Sequence, residues 1–290
     1  MILPSGNCEM DQKLKVYFDA NALNFFCDEF RGKSRKPFRD YEIPLSWPLV
    51  DEIECNSSFA RTIDLADFAW DVSNRKVFLT VRDLVALEIE SLLANKVLSI
   101  SNYFDSDQSY LIALNEARTG RTPNQTRNAL RSAISEQKKR IQNWEQMQRG
   151  KWSSRFGPGK LLSNDWNEFS SLLFQERYFN EVLYGMVEAY DLSNRFGRED
   201  IMNLDHKSLP SLSIGIEFYV ALQFLIDSQS KKLGRPDRGD LPDMQHTFYV
   251  ALCDYFVTDD PRVRHILLTL IDKKSTSIIS CNEFYHMITP

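Results

Sequence analysis

Two acidic strings near opposite ends of the chain carry the residue types best suited to chemistry. The string KVYFDANAL runs from an apolar triplet directly into Asp19. The string DMQHTFYVALCDYFVTDD begins on Asp243 and ends on Asp259 and Asp260. Carboxylates without histidine or cysteine companions suit a hard, oxygen-seeking cation. These acids therefore predict a site for Mg²⁺ or Mn²⁺ rather than for zinc.

The elements that must position these acids are short strands, each followed by a helix. Apolar, β-branched and aromatic runs predict strands at 15–19, 76–80, 255–258 and 276–280. Strands that alternate with helices at both ends of a chain favour an α/β fold with a parallel, doubly wound sheet. Ligands bind beyond the carboxyl ends of such strands, so acids placed there converge on one crevice.

Between these two ends the chain is predicted to be mainly helical. Helical spacing marks 57–71, and the stretch from Arg31 to about Pro48 is predicted to be a loop because it is polar and interrupted by proline. Further helices are predicted at 107–118, 124–148, 165–189 and about 212–230. The predicted domains are a discontinuous core, 1–100 with 236–290, and a helical insertion or lid, 101–235.

Composition and charge exclude several classes of protein. With 43% hydrophobic residues, 26% charged residues and a net charge of -5, the chain should be globular without general affinity for nucleic acid. Five cysteines with no CxxC pair favour a reduced, intracellular protein. Neither a signal peptide nor an apolar run of membrane-spanning length is evident. We therefore expect a cytoplasmic protein that does not associate with membranes.

A local basic segment stands out within this acidic chain. Residues 127–160 contain nine lysines and arginines against two glutamates, with three aromatic residues interleaved. Such a segment can bind phosphates and stack unpaired bases. A solvated helix followed by a flexible loop explains the same pattern, and the sequence does not decide between the two. The candidate nucleic-acid-binding residues are Lys138, Lys139, Arg140, Arg149, Lys151 and Arg155.

The acidic strings resemble the motifs of a known family of nucleases. YFDANAL, LVALEIESLL and DMQHTFYVALCDYFVTDDPRVR are similar to the successive acidic motifs of PIN-domain nucleases, and TSIISCNEF resembles that family's last strand and turn. The resemblance covers roughly the first 30, some 20 central and the last 50 residues. It implies a PIN-like parallel sheet flanked by helices. It does not account for the helical middle of the chain, which is predicted to be a large insertion.

The resemblance also implies which residues would be catalytic and would hold the metal. Asp19 matches the acid after the first strand, and Glu88 matches the glutamate on the helix after 76–80. Asp243 matches the acid that opens the late helix, and Asp260 matches the acid two places beyond a threonine.

The membership of this predicted site is open at two points. Asp259 is an additional metal candidate beside the last acid, and Glu90 competes with Glu88 for the position on the helix. Three neighbours are predicted to hydrogen-bond the acids, a ligand or metal-bound water from a second layer. They are Asn21, Thr258 and His246.

The function implied is a Mg²⁺- or Mn²⁺-dependent endoribonuclease that cleaves single-stranded RNA. The metal would activate water for in-line attack, and no protein nucleophile is required. DNA as the substrate is one alternative, and a catalytically inactive PIN-like binding or regulatory module is another. Small PIN nucleases are often toxins restrained by an inhibitor, so a toxin or defence setting, an inhibitor or regulatory partner and a homo-oligomer are further expectations.

Each acid also has a purely structural explanation. Asp19 and Asp243 stand where an aspartate commonly caps a helix, and Asp260 precedes a proline that suits the first helical position. Glu88 alone would suit a solvated helix face. A phosphatase of the haloacid dehalogenase type is disfavoured because Asn21 stands where its second acid is needed. The functional interpretation therefore depends on the ordered set of acids.

Overall fold

The core of the fold is a four-stranded sheet in which every strand pair is parallel. The structure is a computed structural model, and it describes residues 13–106, 109–123, 176–205, 208–229, 240–270 and 276–289, with scattered positions between 128 and 143. The strand order is β2-β1-β3-β4. In chain order, the strands are β1 (Leu14–Phe18), β2 (Tyr41–Glu42), β3 (Tyr255–Val257) and β4 (Ser277–Ile279).

Helices flank this sheet on both faces, so the predicted α/β class with a parallel sheet is confirmed. Short 3₁₀ turns occur at Lys36–Asp40, Ile100–Tyr103 and Val250–Leu252. The α-helices of the described residues are α1 (Ala20–Glu29), α2 (Trp47–Glu54), α3 (Phe59–Val72), α4 (Val81–Leu93), α5 (Ser109–Arg118), α6 (Glu176–Ala189), α7 (Arg198–Met202), α8 (Pro210–Gln229), α9 (Asp240–Thr247), α10 (Pro261–Leu270) and α11 (Cys281–Ile288).

The two faces of the sheet bury two separate apolar clusters. Side chains alternate across a strand, so Tyr17 of β1 enters one cluster, while Val16 and Phe18 enter the other. The Tyr17 cluster contains residues of α4, α6, α8, α9 and α10, and the opposite cluster contains residues of α1, α2, α3, α5 and α11. Burial on both faces explains why the three residues of β1 before Asp19, Val16 to Phe18, are all apolar.

The described part of the predicted helical insertion packs against the same core as the strands. Buried side chains of α6 and α8 belong to one cluster with Tyr17 of β1 and Phe256 of β3. No helix among the described residues is both long and apolar enough to cross a membrane. The domain boundaries at 101 and 235 stay predictions.

Three local expectations were wrong in detail. The segment 76–80 is extended but makes only isolated bridges, Leu45 with Val77 and Phe78 with Phe104. The predicted loop to about Pro48 in fact contains β2 and the start of α2, where Pro48 needs no hydrogen-bond donor in the first turn. The late helix begins at Asp240 rather than at Asp243.

The close packing of α8 against the end of α9 depends on a glycine. A Cβ atom built on Gly215 would lie 2.4 Å from Cε1 and 2.5 Å from Cδ1 of Phe248, a fully buried ring. Replacing an interior helical glycine by alanine usually favours the helix by about 1 kcal/mol. Here we expect Gly215→Ala to lower the free energy of unfolding, measured in urea, because overpacking costs about 1–3 kcal/mol.

A second variant identifies the ring as the cause of that loss. In a Phe248→Leu background, the same Gly215→Ala change should cost less, because the smaller side chain leaves room for the added methyl group. A Gly215→Ala protein as stable as the parent would show that Phe248 moves aside without cost.

Candidate functional site

Asp19 lies at the carboxyl end of β1 and is almost fully buried. Its Oδ1 accepts a hydrogen bond of 2.7 Å from the backbone N–H of Ala22, so it caps α1. Burial raises the pKa of this carboxyl, while hydrogen bonds from the Thr258 side chain and from Ala22 partly oppose the rise. The capping role does not exclude chemistry, because the carboxylate also faces charged neighbours across the edge of the sheet.

Asp260 reaches the same edge of the sheet from β3. Thr258, which is fully buried directly after β3, accepts a hydrogen bond of 3.1 Å at Oγ1 from the backbone N–H of Asp260. Oδ1 of Asp260 accepts from the backbone N–H groups of Arg262 at 2.8 Å and Val263 at 2.9 Å. Asp260 is therefore the cap of α10, as its position before proline predicts.

Asp243 of α9 completes an acid cluster, defined here as Asp19, Asp243 and Asp260. Its side chain is 21% exposed. Its pKa is raised to about 7, chiefly by burial and then by the charge of Asp260, with a smaller contribution from Asp19. Three carboxylates from distant parts of the chain thus lie within electrostatic reach of one another at the carboxyl edge of β1 and β3.

Two cationic side chains oppose this concentration of negative charge. Nη2 of Arg262 lies 3.3 Å from Oδ2 of Asp243. The other is His246, one turn after Asp243 on α9, which is almost fully buried. Both lower the pKa of Asp243 and so oppose the effect of burial.

His246 is held by a buried chain of polar groups. Its Nδ1 lies 2.6 Å from the hydroxyl oxygen of Tyr17, which lies 2.5 Å from Oγ of Ser46. Its Nε2 lies 3.4 Å from Oε2 of Glu52. Since Tyr17 and Ser46 are fully buried, this chain ties α9 to β1 and to the start of α2. His246 was predicted to be near the acids, and the structure places it there with its ring fixed at both nitrogens.

The charge state of His246 is set by its acidic neighbours. Burial by itself would lower the pKa of His246, but the hydrogen bond and charge of Glu52, followed by the charges of Asp19 and Asp243, raise it above its ordinary value. A raised pKa favours the imidazolium, in which both ring nitrogens are donors.

Glu52 is a site residue that the sequence analysis missed. It lies on α2, contacts His246 and contributes to raising the pKa of Asp19. A usable signal was present in Ser46-Trp47-Pro48, because a capping serine followed by proline in the first turn marks the start of a helix. The predicted loop ended at about Pro48 and the next predicted helix began at 57, so Glu52 lay in neither.

Glu88 does not lie with the acid cluster, which corrects the expectation from the PIN-like motif. Its Oε1 accepts from the backbone N–H of Ser211 and from the hydroxyl of Tyr103, both at 3.0 Å, and its Oε2 accepts from the backbone N–H of Leu212 at 3.1 Å. Its carboxylate therefore binds the first turn of α8, where the helix has donors without partners of its own. Its competitor, Glu90, forms an ion pair with Arg195.

The remaining predicted residues lie around or outside the cluster. Oδ1 of Asp259 accepts a hydrogen bond of 2.9 Å from the backbone N–H of Cys281, so this acid is turned toward α11. Asn21 is exposed in the first turn of α1, and Lys139 is also exposed. The other predicted nucleic-acid-binding residues lie outside the described residues, namely Lys138, Arg140, Arg149, Lys151 and Arg155.

The donor chemistry of this site fits Mg²⁺ or Mn²⁺, but the donors are not gathered into a finished coordination shell. Within the part of the chain that the structure describes, no three Asp, Glu, His or Cys side chains lie close enough together to hold a metal ion. Each acid of the cluster has its own partner: Asp19 caps α1, Asp260 caps α10, and Asp243 pairs with Arg262. A bound cation would nevertheless stabilise the ionised carboxylates and so lower their raised pKa values.

Comparison with other proteins identifies no family for this chain, so only its fold and its candidate site define its class. No protein-family model matches the chain, and no curated protein or solved structure is significantly similar to it. The structure defines an α/β protein with a four-stranded parallel sheet flanked by helices. Its acid cluster lies at the carboxyl edge of that sheet, where ligands of such folds usually bind.

The shifted pKa of Asp243 predicts how stability depends on pH. Between its ordinary pKa of 3.8 and about 7, the folded protein keeps a proton that the unfolded chain releases. Stability from this group is therefore fully present below about pH 4 and is lost as the pH rises through about 7. We expect Asp243→Asn, which cannot ionise, to gain free energy of unfolding relative to the parent across this window.

The measurement is urea unfolding of both proteins at a series of pH values in EDTA. Burial also raises the pKa values of Asp19 and Glu88, which are present in both proteins. The difference between the two curves therefore reports the ionisation of Asp243 together with its charge interactions with Asp260 and His246. If the free energy of unfolding depends on pH in the same way in both proteins, the pKa of Asp243 is not raised.

Proposed function

We propose that this protein is a Mg²⁺- or Mn²⁺-dependent phosphodiesterase of the PIN-like type, acting as an endoribonuclease on single-stranded RNA. The observation that carries the proposal is the convergence of Asp19, Asp243 and Asp260 at one edge of a parallel sheet. Their residue types, and the strand-end positions of Asp19 and Asp260, agree with the acidic motifs that the sequence resembles.

The proposed metal ligands are the three acids of the cluster, with Glu52 as the fourth carboxylate beside them. When bound, the metal would polarise a phosphate oxygen and lower the pKa of a water for in-line attack. Thr258 holds Asp19 and Asp260 through hydrogen bonds, which orients two of the donors. His246 is fixed between Tyr17 and Glu52, and it lowers the pKa values of Asp19 and Asp243 against the larger effect of burial.

Glu52 replaces Glu88 in this proposal for a geometric reason. Glu52 contacts His246 and acts electrostatically on Asp19. Both carboxylate oxygens of Glu88 instead accept hydrogen bonds from the first turn of α8. Removing Glu88 would therefore disturb helix packing rather than the donor set.

A binding or regulatory module without turnover is the second candidate. It is favoured by one observation, that each acid of the cluster already has a partner and no three described side chains converge on a metal position. DNA as the substrate belongs to the same proposal, since metal-assisted cleavage of a phosphodiester does not by itself distinguish the two sugars. An inhibitor or regulatory partner, a homo-oligomer and a cytoplasmic toxin or defence role are also proposals, supported only by the resemblance of the acidic motifs.

The test of the nuclease proposal is cleavage of end-labelled single-stranded RNA and DNA in Mn²⁺, Mg²⁺ or EDTA. We expect cleavage of RNA with either metal and none in EDTA. Loss of a residue that orients a metal ligand typically reduces activity by about 10- to 100-fold. Asp19→Asn and Asp243→Asn should each reduce the rate of cleavage by more than this, because both acids are themselves proposed ligands. Asparagine also caps helices, so Asp19→Asn should keep the start of α1.

The outcomes separate the two candidate functions. Cleavage that persists in EDTA or in both variants would remove the metal site from the proposal. An RNA-binding protein that cleaves neither nucleic acid would instead support the binding module.

A matched pair of glutamine variants tests which glutamate belongs to the site. Glu52→Gln should lower the rate of cleavage by about 10- to 100-fold, because it removes a charge beside His246 and Asp19. Glu88→Gln should lower the thermal stability but leave the rate per folded molecule near that of the parent, because its contacts lie at the start of α8. Equal rates for Glu52→Gln and the parent, or a large loss in Glu88→Gln, would reverse the assignment.

A further inference from the structure

Arg262 lies at the acid cluster and pairs with Asp243, but it is not one of the proposed metal ligands. It is the second residue of α10, and its backbone N–H is fixed by the capping bond to Asp260. Its guanidinium extends to Asp243 on α9, with Nη2 and Oδ2 3.3 Å apart. About a third of the side chain is exposed, at 36%. Part of the Arg262 side chain therefore faces solvent beside the acid cluster.

The two cations at the cluster differ in what they can reach. His246 has only 3% of its side chain exposed and is held at both ring nitrogens. Arg262 is partly exposed, and its guanidinium has five donors in a planar fork. Of these two, only Arg262 can meet a molecule that approaches from solvent.

An anionic substrate faces an electrostatic obstacle at this crevice. The three acids of the cluster repel a phosphodiester, and a divalent cation offsets only part of that repulsion. A guanidinium matches the geometry of phosphate oxygens and forms strong charge-assisted hydrogen bonds with them. A cation bound by Asp243 would also weaken the attraction between Asp243 and Arg262.

We propose that Arg262 is the phosphate-binding residue of this site: it neutralises Asp243 in the absence of substrate and contacts a phosphate of single-stranded nucleic acid in the complex. The inference rests on the proposed function, because it takes a single-stranded nucleic acid as the ligand of the same crevice. It adds a specific contact to the substrate, made by a residue outside the set of carboxylates.

The experiment compares Arg262→Gln with Arg264→Gln, a matched control. Arg264 lies two residues later on α10, is exposed to the same degree at 34%, and pairs with Glu283 of α11 rather than with the cluster. Both substitutions remove one positive charge from the same helix, and Arg262→Lys keeps the charge without the planar fork. Binding of a short fluorescent single-stranded RNA is measured by anisotropy in Ca²⁺ at several salt concentrations, with gels to verify intact RNA.

Loss of one phosphate contact has a defined signature in this measurement. We expect Arg262→Gln to weaken binding by about tenfold and to reduce the slope of log K against log salt by about 0.7, the value for one phosphate on a single strand. Arg264→Gln should keep the slope of the parent. Arg262→Lys should restore the slope, while its affinity stays below that of the parent because the planar fork is lost.

Steady-state cleavage in Mn²⁺ and direct titration of Mn²⁺ give an independent readout. Arg262→Gln should raise KM more than it lowers kcat, which is the pattern for a lost binding contact. Its affinity for Mn²⁺ should be no weaker than that of the parent, because a competitor for Asp243 has been removed. A residue that only supported the fold would instead weaken Mn²⁺ binding and lower the melting temperature.

The results distinguish failure of this inference from failure of the proposed function. Equal slopes and affinities for Arg262→Gln and Arg264→Gln would overturn the role of Arg262, even if the parent cleaves RNA. If the parent binds RNA with an Arg262-dependent slope but never cleaves it, the nuclease proposal fails and the phosphate contact stands. A parent that binds no RNA would overturn both.

Discussion

The parallel pairing of β1 with β3 is the constraint on which the rest of the site depends. Phe18 pairs with Val257 at the carboxyl ends of the two strands, so the next residues of both strands emerge side by side. Asp19 and Thr258 are those residues, and a hydrogen bond joins their side chains. Strands more than two hundred residues apart in the chain thereby supply one edge, and the apolar clusters on both faces hold them in that register.

At this edge of the sheet, the carboxylates that cap helices are also the groups proposed to bind metal. Asp19 and Asp260 each accept backbone hydrogen bonds at the start of a helix, which fixes the carboxylates where a strand ends. The structural and functional explanations of these acids are therefore compatible. Local bonding keeps the acids in place despite their mutual repulsion, and the positive charges of Arg262 and His246 reduce the cost of bringing Asp243 beside them.

A buried chain of hydrogen-bonded polar groups also holds the site together. Tyr17, on the face of β1 opposite to Val16 and Phe18, links Ser46 to His246 and so connects the start of α2, the central strand and α9. Unpaired polar groups are costly in such an interior, so each partner in the chain depends on the others. The fixed orientation of His246 and the proximity of Glu52 follow from this chain rather than from any local sequence pattern.

The sequence by itself determined the parallel α/β class and the strand-end positions of Asp19 and Asp260, because strand periodicity and helix caps are local properties of a chain. It did not indicate the tertiary contacts of the glutamates. LVALEIESLL resembles an acidic motif, but only tertiary packing decides that Glu88 meets the first turn of α8, while Glu52 meets His246. Which helix face turns toward the crevice depends on packing between distant segments, and this global property cannot be obtained from the spacing of residues along one helix.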